Sequence, residues 1–165
     1  MIKIIDNFFE DNLLLNIQNH ITTKLPFTPQ YFENTKERNK ENHYGDRFNL
    51  EKDINLFNTF VKQVEKKFKI KINKVANSGI DIRNLDHFKP HTDLAKINAF
   101  IMLKGPTAVT NGTVFYTKGE LDIHVGFREN RAILFPSNWV HSPHKSEVKN
   151  LKRFTASIFI DDYEE

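Results

Sequence analysis

The spacing of apolar residues changes after Ile70. Over Glu10 to Thr23, Leu13, Leu14, Ile17 and Ile21 recur at steps of three and four, which puts them on one face of a helix. A second helix is predicted from Glu51 to Lys69, where Ile54, Phe57, Val61, Val64 and Phe68 keep that step and charged residues fill the opposite side. Ile2 to Ile5 alternates briefly before Asp6 and Asn7 and reads as a short strand leading into the first helix. Beyond Ile70 the runs become short and β-like: 74–83, 96–103, 113–117, 121–125, 132–135 and 153–160. Turn signals at Gly105-Pro106, Asn111-Gly112 and Glu129-Asn130 separate them. Two leading helices followed by many short strands predict a mainly β chain, an antiparallel sandwich or barrel with the helices supporting one face.

Residues 24–50 keep no clear period. They hold Pro26, Pro29 and Gly45, with Phe27, Tyr31, Phe32, Tyr44 and Phe48 scattered among polar positions. A connection this long inside a domain is either a lid or binding loop, or a partly disordered surface segment, and both readings stand at this point. Tyr44, Asp46 and Arg47 are polar groups of the kind that read a substrate, but nothing in the sequence brings them to a site.

With 165 residues the chain is expected to form one domain, residues 1–165, with helical support in 1–70 and a barrel core in 71–160. Its apolar residues, 15 Phe among them, are spread along the chain, as a globular core requires. No run approaches the roughly 18 apolar residues of a membrane span, and Lys3, Asp6 and Glu10 break the start, so no membrane partner and a cytoplasmic location are expected. The absence of cysteine excludes disulfides, thiolate ligands and thiol nucleophiles, leaving chemistry to His, carboxylates and hydroxyls. The formal charge is +3 with a pI near 9.0, but the signs are mixed along the chain. The densest basic cluster, Lys62, Lys66, Lys67, Lys69, Lys71 and Lys74, lacks interleaved aromatics and reads as a solvated face rather than a nucleic-acid surface.

The candidate chemistry starts at His91-Thr92-Asp93, after Lys89-Pro90. In extended backbone, residues two apart point the same way, so an imidazole and a carboxylate can face one point. Further on, Leu134-Phe135-Pro136-Ser137-Asn138-Trp139-Val140-His141 carries a buried-looking strand into a short turn that ends on a histidine. A sheet that folds back on itself would set His141 opposite the first pair. Two imidazoles and a carboxylate then form the facial set associated with non-haem Fe(II) and its open coordination positions. Last comes Arg153-Phe154-Thr155, with Arg153 and Thr155 on one face and Phe154 on the other. A guanidinium in an apolar strand needs a partner; a bound carboxylate held by its paired N–H donors fits, with the Thr155 hydroxyl adding a further bond. Pairing with Asp161 or Asp162 is the structural alternative.

Taken together, these elements resemble the Fe(II)/2-oxoglutarate-dependent dioxygenases, and within them the prolyl 4-hydroxylase-like group. The likeness spans roughly residues 74–160. It rests on His-x-Asp preceded by Pro90, the Asn111-Gly112-Thr113-Val114-Phe115-Tyr116 segment, Phe-Pro-Ser-x-Trp-x-His and the final Arg-x-Thr. It implies a double-stranded β-helix, a jelly-roll or cupin-like barrel packed by the two N-terminal helices. It also implies Fe(II) held by His91, Asp93 and His141, 2-oxoglutarate anchored by Arg153 and Thr155, and O2 as oxidant. Succinate and CO2 would leave while a substrate C–H bond is hydroxylated. The group points to a peptidyl prolyl or another protein side chain; related folds oxidise amino acids, small metabolites and nucleobases. Where the prolyl hydroxylases often place a Tyr contacting 2-oxoglutarate, this chain has Ile82-Arg83, and Asn98 is a conceivable substitute.

His144 competes with His141 for the distal position, since its distance from Arg153 is closer to the family's spacing. His141 is favoured by the Trp-x-His placement. His20, His43 and His87 read as solvated or structural, and His124, in an expected hairpin, as a residue that could face substrate. Two other functions remain: a non-catalytic barrel that only binds a ligand, and a zinc hydrolase built on the same three ligands.

Overall fold

A computed structural model describes residues 1–31, 43–83, 89–144 and 152–165. In chain order its elements are β1 (Lys3–Ile5), α1 (Asp11–Thr23), β2 (Thr28–Tyr31), β3 (His43–Asn49), a 3-10 turn (Leu50–Lys52), α2 (Ile54–Phe68), β4 (Lys71–Arg83), β5 (Ile97–Lys104), β6 (Ala108–Thr117), β7 (Glu120–Phe127), β8 (Arg131–Pro136), β9 (His141–Pro143) and β10 (Arg153–Glu164). Seven strands form one sheet in the order β1-β8-β5-β10-β4-β3-β2, and three form a second, β7-β6-β9. Neighbouring strands pair antiparallel throughout. Among the described residues no helix is long and apolar enough to cross a membrane.

Strand alternation sorts the side chains into two cores. Ile97, Ala99, Ile101 and Leu103 of β5 and Ala156, Ile158 and Ile160 of β10 face the helices, where Ile17 and Ile21 of α1 and Phe60, Val64 and Phe68 of α2 cover them. Phe154 packs on this side too, as its parity requires. The opposite faces meet the smaller sheet: Met102, Ile133 and Phe135 pack against Phe115, Val125 and Phe127. Two facing antiparallel sheets with helices outside the larger one make a double-stranded β-helix of jelly-roll type.

Three details depart from the sequence pattern. The buried stripe of α2 is Leu56, Phe60, Val64 and Phe68, whereas Ile54, expected on it, is 59 % exposed. Steps of three and four describe two overlapping faces of this helix. Phe60 selects one of them by packing its ring edge-on to Phe9 at 5.2 Å. Second, segment 24–50 supplies strands β2 and β3, which extend the larger sheet beyond β4, so the first 70 residues give more than helical support. Residues 32–42 of that segment lie outside the described residues. Third, Asn111-Gly112 does not turn the chain. It lies inside β6, where the register against β7 jumps between Ala108 and Thr113. A Cβ on Gly112 would come within 2.1 Å of the Val125 carbonyl oxygen, so glycine there permits a close strand approach. The β6–β7 turn is made instead by Lys118 and Gly119, both at positive φ.

Candidate functional site

His91 and His141 sit side by side because their main chains are hydrogen-bonded to each other in both directions, each N–H donating to the other's carbonyl at 2.9 Å. Two residues on, the Asp93 N–H donates to the Ser137 carbonyl at 2.8 Å. The extended stretch 91–93 therefore presents His91 and Asp93 toward His141, and one ligand atom from each of the three lies within 4.8 Å of the others. His141 Nε2 is 3.3 Å from Asp93 Oδ2, and His91 Nε2 is 3.9 Å from Asp93 Oδ1.

The surrounding hydrogen bonds prepare both imidazoles for a cation. His91 Nδ1 lies 3.0 Å from the Lys89 carbonyl and His141 Nδ1 lies 2.8 Å from the Trp139 carbonyl. A carbonyl only accepts, so each Nδ1 carries a proton, and Nε2 is the nitrogen turned toward the shared space. Asn98 Nδ2 donates to Asp93 Oδ2 at 3.3 Å and steadies the carboxylate. Burial, joined by the charge of His141, holds the His91 pKa below its ordinary value against the opposing pull of the Lys89 carbonyl and Asp93. For Asp93, burial acts upward, yet the hydrogen bond and charge of His141, with His91 and Asn98, keep the carboxyl below its ordinary range. Metal binding requires an ionised carboxylate, and an ion arriving between the rings would displace any proton on Nε2.

The three residues open on a cleft of about 420 Å³, mouth included, whose walls also contain Arg83, Asn98, Phe100, Thr113, Arg153 and Ser157. Arg153 is 1 % exposed. One of its terminal nitrogens donates to the carbonyls of Asn111 and Gly112, while its Nε has no partner among the described residues. The guanidinium also lies over the rings of Phe100 and Phe127, 5.7 and 5.8 Å from their centroids. Burial, reinforced by nearby Arg83, lowers its pKa to about 9, which leaves it a cation at neutral pH. The carboxylates offered as alternative partners are engaged elsewhere, Asp161 with Lys74 at 3.1 Å and Asp162 with Lys96 at 3.0 Å. Thr155 shares the face of Arg153 and is fully buried, with its hydroxyl unpartnered among the described residues; it does not line the cleft.

His144 stands apart from this cluster. Its N–H donates to the Gly112 carbonyl at 2.9 Å and its ring stacks on His124 at 4.6 Å. His20 and His43 bond to Asp53 and Asp46 at 2.8 and 2.9 Å, structural pairings both, and His87 lies outside the described residues. Sequence reasoning missed Thr113 and Arg83 as cleft residues. The alternation within β6, which turns Thr113 and Phe115 the same way, was the available signal for the first.

No family model and no curated protein matches the sequence. Solved structures do match the fold, among them 2-oxoglutarate-binding and 2OG-Fe(II) oxygenase proteins. HygX from Streptomyces hygroscopicus, with nickel and 2-oxoglutarate bound, superposes with a TM-score of 0.70 at 8 % identity, covering 95 % of this chain and 81 % of HygX. An oxidoreductase of the 2OG-Fe(II) oxygenase family from Burkholderia pseudomallei gives 0.68 at 13 % identity, covering 97 % and 84 %. SnoN, an α-ketoglutarate-dependent epimerase from nogalamycin biosynthesis, gives 0.65 at 9 % identity, covering 97 % and 78 %. Other structures of the first and third contain hygromycin B and nogalamycin RO. At these identities the likeness establishes the double-stranded β-helix fold.

Proposed function

We propose that this chain is an Fe(II)- and 2-oxoglutarate-dependent oxygenase that hydroxylates a substrate C–H bond. The observation that carries this reading is the conjunction, in one cleft, of two imidazole Nε2 atoms and a carboxylate with a buried guanidinium that no carboxylate among the described residues neutralises. The donor set suits Fe(II), since a facial triad leaves coordination positions for other ligands. Bound there with 2-oxoglutarate and O2, the metal supplies the oxidant for C–H cleavage, with succinate and CO2 as co-products.

The chain's own part is to bind and to orient. His91, Asp93 and His141 would hold the ion, and Asn98 would fix the carboxylate. Arg153 would take the far carboxylate of 2-oxoglutarate through donors its two carbonyl bonds leave unspent, with the Thr155 hydroxyl one strand step away on the same face. Phe100 and Phe135 would keep water from the reacting groups. The sequence motifs favour a protein or peptide substrate, the prolyl hydroxylase-like reading; the ligands named for HygX and SnoN favour a small molecule. Those bound ligands carry the choice, and we take a small molecule as substrate.

Anaerobic addition of Fe(II) and then 2-oxoglutarate should produce a weak visible charge-transfer band. Its absence from correctly folded protein favours a binding module or a zinc hydrolase on the same ligands. For the distal ligand, His141→Ala should abolish iron-dependent succinate formation and His144→Ala should retain most of it. The opposite result transfers the role to His144.

A further inference from the structure

The inner face of the larger sheet stays polar past the cleft. The smaller sheet packs on β5 and β8, while β4 and β3 continue to one side of that core. Register brings Arg153 opposite Arg83 and Thr155 opposite Asp81 across β10 and β4, then Asp81 opposite Arg47 across β4 and β3. Asp81 is 4 % exposed and faces two guanidiniums. Arg47 NH1 reaches both its oxygens at 3.0 and 3.1 Å, and Arg83 NH2 lies 3.6 Å from Oδ2. Arg47 and Arg83 themselves keep 19 % and 18 % of their side-chain surface open to solvent.

Gly79 fixes where the Arg47 head group lies. A Cβ at that position would come 2.3 Å from Arg47 Cζ, so the guanidinium occupies the space a side chain would fill. Gly79 pairs with Ser157, a cleft residue, and Arg83 lines the cleft directly. Arg83, paired with the cosubstrate anchor Arg153 in the register, and Arg47 beyond it on β3 thus continue the cleft wall outward from that anchor. The buried carboxylate beneath holds them in place, and a partly open guanidinium on a fixed support suits the paired oxygens of an acid. Its charge also raises the local concentration of anions at the mouth.

We propose that Arg47 and Arg83, oriented by Asp81, bind an acidic group of the substrate, a carboxylate or a phosphate, beside the metal site. The proposal rests on the oxygenase reading and names the substrate class it acts on: small molecules bearing an anionic group. Arg47 and Arg83 are specificity-determining residues, and Asp81 is a positioning residue.

The test is equilibrium binding, under argon, to the Fe(II)- and 2-oxoglutarate-loaded protein. Matched probes span several acyl sizes: N-acetyl amino acids against their carboxamides, and phosphate monoesters against the parent alcohols. The acid of at least one pair should bind roughly tenfold or more tighter than its neutral partner, the worth of a charge-assisted hydrogen bond, and the productive pair separates carboxylate from phosphate. Arg47→Met should erase that preference while the charge-transfer band with 2-oxoglutarate persists, and Arg47→Lys should restore part of it. Failure of every acid to outbind its partner overturns the proposal, as does an undiminished preference in folded Arg47→Met. Should Arg47→Met not fold, a preference in Arg47→Lys equal to wild type overturns it, because a point charge cannot replace the fork. Loss of the band in the wild-type protein is a separate outcome and overturns the oxygenase reading itself.

Discussion

Arg153 concentrates the site's chemistry in one side chain. A guanidinium 1 % exposed is costly to bury, and two carbonyl acceptors on one nitrogen leave Nε unserved among the described residues. Arg153→Met should therefore weaken 2-oxoglutarate by roughly tenfold or more, read from the charge-transfer band, while Mn(II) affinity measured by electron paramagnetic resonance stays close to wild type. Equal loss of both would make Arg153 a structural residue. The pairing of His91 with Asp93 was legible because period-two alternation fixes which residues share a face, while His141 was preferred on its Trp-x-His placement. The same rule explains His144: on β9, His141 and Pro143 point into the cleft, and His144 has the opposite parity. It was not decidable from the sequence because a strand of three residues gives no pattern from which to read its parity. Arg83 and Arg47 were illegible for a related reason. A lone polar residue in a strand carries no mark of the face it occupies until the strand's register is known.

At the level of elements, α2 is fixed at its start by Asp53. Its Oδ1 accepts from the Leu56 N–H at 3.1 Å, and its Oδ2 meets His20 of α1 at 2.8 Å. Asp53→Ala should cost about 1 kcal/mol or somewhat more by urea unfolding, the usual worth of an N-cap. The Leu56 bond, with His20 and against partial burial, holds the Asp53 pKa below its ordinary 3.8. Such a group stabilises fully above its unfolded value and loses that contribution as pH falls through the lowered folded value. The gap between wild type and Asp53→Ala should thus be constant near neutrality and close in strong acid; a gap that instead widens there contradicts the capping role. Both helices were readable from periodicity, though Phe60 was not assigned to the buried stripe. β2 and β3 were not, because Thr-Pro-Gln-Tyr and His-Tyr-Gly-Asp-Arg-Phe-Asn lack an apolar face. Pro29 is tolerated because β2 is an edge strand of the sheet.

Across the whole molecule, the cleft draws its walls from both sheets: Thr113 and His141 belong to the smaller, and Asn98, Phe100, Arg83 and Arg153 to the larger. A ligand that touches both sheets should raise the stability of the folded state as a unit. At 100 times its Kd, a bound ligand adds about 2.7 kcal/mol, which for a domain of this size is a rise in Tm of roughly 5–10 °C. Mn(II) with 2-oxoglutarate should exceed Mn(II) alone in scanning calorimetry, and a chelator should reverse both. Identical curves with and without the dicarboxylate would count against its binding at Arg153. A sandwich or barrel was expected from the chain's two helices and many strands, and its jelly-roll arrangement from the family resemblance. The extent of the larger sheet was not, because its outer strands are recruited from a segment with no periodic signal.

The reciprocal main-chain bridge between His91 and His141 carries a consequence for how the site can be altered. Peptide groups fasten these distant stretches together, so an arriving ion meets donors already gathered and has little ordering entropy left to overcome. The fastening also does not depend on which side chains the two positions carry. Substituting inert residues there would silence the centre while its scaffold persists, which makes this fold a ready frame for donor sets other than the one it now displays.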